Sequence, residues 1–97
     1  MVFKMFSVYD DKAKAYLPPF VMHNAAMAQR AFSDGINGES NFATHPEDYN
    51  LFYLGEWDDS SGYFVCLPAP TLVVQGVQVA GASHDTQISL LGVEGNA

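Results

Sequence analysis

The stretch Asn50–Leu67, NLFYLGEWDDSSGYFVCL, decides the fold. Leu51, Phe52, Tyr53, Leu54 and Trp57 form one apolar run; Tyr63, Phe64, Val65, Cys66 and Leu67 form a second. Asp58, Asp59, Ser60, Ser61 and Gly62 lie between them. Short side chains that bond their own backbone, followed by a residue tolerant of positive φ, make a turn. The stretch is therefore predicted to be a β-hairpin, and it carries the only Trp of the chain.

Outward from the hairpin, Pro68 and Pro70 are expected to break the sheet. Thr71–Ala80, TLVVQGVQVA, has strand propensity but carries Gly76, and Ile88, Leu90 and Leu91 form a last apolar patch. Toward the N-terminus, Thr44-His45-Pro46-Glu47 fits a capping box opening one or two helical turns, after a loop at Glu39–Ala43. Asn24 is a good N-cap for a helix from Ala25 to about Ile36, stopped by Gly35, Asn37 and Gly38. Ala25, Ala28, Phe32 and Ile36 share one face of it. Phe32 is expected to pack on Phe52 and Leu54, which alternate to one side of their strand. Ala15–Phe20 is extended because Pro18 and Pro19 forbid helix. Val2–Tyr9 reads as a strand with Val2, Lys4, Phe6 and Val8 on one face and Phe3, Met5, Ser7 and Tyr9 on the other. Asp10–Lys14 is a polar turn. The fold expected is α+β: a small antiparallel sheet with one main helix on one face, in the order β-α-β-β. Residues 1–67 form the core domain and 68–97 a C-terminal extension with room for one further strand.

The 97 residues suit one domain. Both strand faces carry large apolar residues and one alanine-rich helix covers a single face, so a homo-oligomer is expected. Cys66 is the lone cysteine and reads as a buried small hydrophobe; the absence of any internal disulfide suits a reducing cytoplasm. Lys4 and Asp10–Lys12 interrupt the N-terminal apolar run too early for a signal peptide. No window approaches the roughly 18 apolar residues of a membrane-spanning helix.

The formal net charge is −7. Residues 1–30 hold all four cations, Lys4, Lys12, Lys14 and Arg30, against two carboxylates, for a net +2. Residues 31–97 hold nine carboxylates and no Lys or Arg, for a net −9. A polyanion can approach only the N-terminal third. There, Lys12 and Lys14 lie on a turn beside Tyr9 and Tyr16, and aromatics on a sheet beside cations can stack bases. The candidate nucleic-acid-binding set is Lys4, Lys12, Lys14, Arg30, Tyr9, Tyr16 and Tyr53. Four cations is thin for phosphate neutralisation, and Arg30 has Asp34 one turn on as a partner.

Catalytic and metal signals are weak. His23, His45 and His84 are scattered, and four soft ligands for a structural zinc are lacking. His45, Glu47 and Asp48 read as a helix start with carboxylates at its positive end. Asp10/Asp11 and Asp58/Asp59 read as turn makers. Ser33, Ser60 and Ser61 lack a nucleophile elbow, and no phosphate loop is present. The chain is expected to be no enzyme and to use no metal or cofactor.

Several stretches resemble the small nonstructural protein of gokushoviruses, single-stranded DNA phages of the Microviridae. They are FSVYDDKAKAYLPPF (6–20), NAAMAQRAFSD (24–34) and HPEDYNLFYLGEWDD (45–59). The shared residues are Ser7, Val8 and Asp10; Ala15 to Phe20; Arg30, Phe32, Ser33 and Asp34; His45 to Tyr49, Leu51 and Phe52; and Gly55, Asp58 and Asp59. The resemblance covers about residues 2–67; residues 68–97 carry no recognisable signature of the family. It implies a non-enzymatic accessory protein of the host bacterial cytoplasm, absent from the mature virion. By position the family is likened to the microvirus factor for single-stranded genome synthesis and packaging, and it is often labelled DNA-binding. Two mechanisms follow: weak contact with single-stranded DNA, or an adaptor role toward the replication initiator, a host helicase or the procapsid. A host-modulating binding protein is the third class, and a membrane partner is not expected.

Overall fold

A computed structural model describes residues 1–38 and 41–81. His84 and the Ile88, Leu90 and Leu91 patch lie outside the described residues. Among the described residues five strands form one antiparallel sheet: β1 (Val2–Asp10), β2 (Ala15–Tyr16), β3 (Phe20–Met22), β4 (Tyr49–Asp58) and β5 (Phe64–Gln75). Their order is β2-β1-β4-β5, with β3 also pairing β1. The main helix, α1 (Ala25–Ile36), covers one face. Two single-turn helices, α2 (Asn41–Thr44) and α3 (Gly76–Val79), and a 3-10 turn at Pro46–Asp48 complete the described residues.

The hairpin forms as its sequence requires. Asp58 Oδ1 accepts from the Ser60 amide and hydroxyl at 2.9 and 2.6 Å, and Gly62 takes φ 77. The first turn works similarly: Asp10 Oδ1 accepts from the Lys12 and Ala13 amides, and Lys14 takes a left-handed φ of 56. Asn24 caps α1 by accepting from the Met27 amide at 2.9 Å. At its other end Gly35 stays helical and Asn37 is the C-cap. The Asn37 side chain donates to the Ser33 and Val79 carbonyls, both at 2.9 Å, and accepts from the Gly81 amide. One side chain thereby ties the end of α1 to α3.

Ala28, Phe32 and Ile36 of α1 are buried against Phe6, Val8, Leu51, Val74 and Val79. Leu51, not Phe52, meets the helix, which corrects the expected side of β4. The sheet register explains it. Val8 pairs Leu51 and Phe6 pairs Tyr53, so those residues share the helix face; Ser7 pairs Phe52 on the other. Leu54 is skipped in the pairing, which jumps from Tyr53 to Gly55. That bulge reverses the parity of β4, so Trp57 joins Phe52 on the open face.

Four further expectations are corrected. Pro68 and Pro70 do not end the sheet. The pairing of β5 jumps from Cys66 opposite Gly55 to Thr71 opposite Tyr53, so the prolines sit in a bulge and the strand resumes. An edge strand can lack a donor on its free side. Thr44 closes α2 instead of capping, and His45 precedes the 3-10 turn without a side-chain capping bond, although Pro46 does take the first position. The loop expected at Glu39–Ala43 includes the start of α2 at Asn41. Cys66 is exposed, because it lies on the face away from α1 and opposite Gly55, which has no side chain to cover it.

Candidate functional site

The face of the sheet opposite α1 is uncovered by any described element. At one end Phe3, His23 and Trp57 are in ring contact, at 4.9 Å for Phe3–His23 and 5.8 Å for Phe3–Trp57. Beside them, Met5, Pro19, Phe20, Val21, Trp57 and Phe64 line an apolar hollow of about 320 Å³. At the other end Tyr9, Tyr16 and Phe52 meet edge to face, with centroids 4.8 to 6.3 Å apart. Val21, Phe64 and Leu72 are exposed on this surface. Its large aromatics offer area with little entropy to lose on docking.

Carboxylates flank both ends. Asp10 and Asp11 stand at the β1–β2 turn, and the Asp11 amide donates to the Asp48 carbonyl at 2.8 Å. The Tyr49 phenol is pushed up, first by burial and then by the charges of Asp10 and Asp48. At the far end lie Glu56, Asp58 and Asp59. Asp58 is held below its usual carboxylate range, chiefly by the Ser60 hydroxyl and amide.

The seven residues of the candidate nucleic-acid set do not form one cluster. Tyr9, Tyr16, Lys12 and Lys14 gather at the β1–β2 turn. Lys4 and Tyr53 lie on the helix side of the sheet, with Lys4 Nζ 5.6 Å from the Tyr53 ring centroid. Arg30 is exposed on α1. Two of the four cations are already paired: Lys4 with Glu56 at 3.5 Å and Lys14 with Asp11 at 3.2 Å. Lys12 and Arg30 make no ion pair among the described residues, so Arg30 does not use Asp34. Reading the sequence residue by residue missed Phe52, Trp57, Phe64 and Val21 as members of an open face. The alternation of β1 already placed Phe3 and Tyr9 together, and that was the available signal.

His45 Nδ1 stands 3.5 Å from Glu47 Oε2 with Asp48 adjacent, and their ligand atoms lie within 4.8 Å of one another. His45 and Glu47 are exposed, and the group sits at the start of the 3-10 turn as expected for first-turn carboxylates. Among the described residues no helix is long and apolar enough to cross a membrane.

The topology of these elements is that of a small helix-covered antiparallel sheet presenting an aromatic face. The chain belongs to the Phage ORF5 protein family, whose family model matches residues 3–79, and it is a phage protein. The match takes in β1 through α3, beyond the 2–67 stretch that carries the sequence resemblance. No curated protein and no solved structure matches the chain.

Proposed function

We propose that this phage protein is a non-enzymatic accessory factor that binds a protein partner through the open face of its sheet. The observation that carries this reading is the pairing of an uncovered aromatic face with acidic ends. Apolar area drives docking, and the ends stay net acidic after the pairing of Asp11 with Lys14 and of Asp58 and Asp59 with the Met1 ammonium, which favours a partner with a basic rim. The same carboxylates oppose phosphate, and two of the four cations are engaged in ion pairs. The gokushovirus resemblance directs the reading further, to single-stranded genome synthesis and packaging in the bacterial cytoplasm. The replication initiator, a host helicase and the procapsid are the partners that fit; an unrelated host protein would make the factor a host modulator.

A second reading has its own observation. Tyr9 and Tyr16 lie beside Lys12, a cation with no carboxylate partner among the described residues, which is the minimum for weak stacking of single-stranded DNA. A pull-down from infected cells, with and without nuclease, separates the two. The protein-docking reading requires a nuclease-resistant partner that is lost when Val21→Asp and Leu72→Asp are combined. Loss on nuclease treatment transfers the function to DNA, and capture unaffected by the double variant removes the face from the mechanism.

A further inference from the structure

We infer that two copies of this chain associate by antiparallel pairing of β5 edges at residues 63–67, joining their sheets into one. This goes beyond the partner-docking reading and stands independently of it. Among the described residues β5 is paired only on its β4 side. The Asp58 amide donates to the Tyr63 carbonyl at 3.0 Å, so Tyr63 turns toward β4. Alternation along an antiparallel ladder then turns the backbone groups of Phe64 and Cys66 away from it. Among the described residues those amides and carbonyls form a free edge. Tyr63, Phe64 and Val65 beside them are 75%, 62% and 68% exposed.

The two margins of the sheet differ in how they are defended. The opposite margin consists of β2 and β3, two and three residues long and split by Pro18 and Pro19. Short, proline-broken strands resist addition of another strand. Residues 63–67 contain no proline and no charge, and they are rich in β-formers.

Charge identifies the occupant as a second copy. The chain carries −7, so two copies repel over most of their surface. Residues 60–81 hold no Asp, Glu, Lys, Arg or His, and β5 lies wholly within them. A two-fold axis beside Val65 brings this neutral segment against itself. Phe64 then lies opposite Cys66 of the second copy, and the reverse, which is the self-complementary contact of a two-fold dimer. The axis stands perpendicular to the sheet, so both aromatic faces point the same way and form one continuous surface.

The test uses the full-length protein, observed by light scattering from micromolar to millimolar concentration. The expected mass is twice the 10.6 kDa of the chain. A short bis-maleimide should join the native Cys66 thiols of the two copies, since no other cysteine is present. Val65→Lys and, separately, Phe64→Lys should return the mass to that of one chain with an unchanged circular dichroism spectrum. Both side chains are exposed, so if one variant misfolds the other still decides. A single-chain mass for wild type throughout the range overturns the inference. So does a dimer that survives in a folded variant, or one that Cys66 cannot cross-link.

Discussion

The Ser7 hydroxyl donates a 2.5 Å hydrogen bond to the Leu17 carbonyl, beside the place where the β2–β3 margin is broken by Pro18 and Pro19. Ser7 lies on the open face of β1 and is only 1% exposed. The Leu17 amide in turn donates to the Val8 carbonyl at 2.8 Å, so the break is fastened from both sides. Ser7→Ala leaves the carbonyl short of a donor and should cost about 1–3 kcal/mol. Urea denaturation measures the loss, and faster hydrogen exchange at Leu17 would locate it. An unchanged midpoint would mean that water replaces the hydroxyl without penalty.

The side of β4 that meets α1 can be checked by truncation. Phe32→Ala should cost about 3–5 kcal/mol and Leu51→Ala about 2–5 kcal/mol, as for large core side chains. Phe52→Ala removes only partly buried ring contacts on the open face and should cost about 1–2 kcal/mol. Equilibrium denaturation of the three variants gives the order directly. A larger loss for Phe52 than for Leu51 would reverse the register described above.

Gly55 has φ 149, and a Cβ there would run into the Val65 carbonyl oxygen and lie 2.8 Å from Cys66 Cα. The β4 backbone bends at the bulge and touches β5 closely, which only glycine permits. Gly55→Ala should cost at least about 1–3 kcal/mol. Amide protection should fall first across the β4–β5 pairing, because the added methyl forces those strands apart. Protection lost evenly over the sheet would place the damage elsewhere.

The depressed Asp58 carboxyl makes the hairpin acid-sensitive. Its folded pKa lies below its unfolded one, so the unfolded chain binds the extra proton and stability rises with pH. The contribution is complete above the ordinary carboxylate value of about 4 and is lost as pH falls through the lower folded value. A carboxyl NMR titration should place Asp58 below the ordinary range in wild type. Ser60→Ala should move it back up, since the Ser60 hydroxyl is the leading cause. A titration midpoint indifferent to Ser60 would refute the assignment.

Phosphate contact with single-stranded DNA must use residues 1–30, since residues 31–97 hold no Lys or Arg. At most four phosphates can be neutralised, so the slope of log affinity against log salt should be no steeper than roughly −3. Lys12→Glu with Lys14→Glu should abolish the binding without unfolding, because both residues are exposed on their turn. Fluorescence anisotropy with a labelled oligonucleotide at low salt reads both. Equal binding by the double variant would remove this turn from any DNA contact.

Local chemistry made several elements legible. Asn24 before an alanine-rich run, Asp58 to Gly62 between apolar runs, and Asp10 before Lys12 each contain the donors and acceptors of their own turns. Such bonds span a few residues, so they need nothing from the remainder of the chain. The two faces of β1 were legible for the same reason, since its side chains alternate with period two. The face of β4 was not. Leu51 and Phe52 are both apolar, and alternation says only that they point in opposite directions. Which of them meets α1 depends on Val8 and Ser7 across the ladder and on the bulge at Leu54. The fate of Pro68 and Pro70 was likewise a tertiary matter: a missing donor disrupts a central strand but is tolerated at a margin, and residue order does not reveal the margin. The open aromatic face follows from the same arrangement. Phe3 and Tyr9 of β1, Tyr16 of β2, and Phe52 and Trp57 of β4 come from three separate strands, and only the pairing of β1 with β2 and β4 brings them onto one surface.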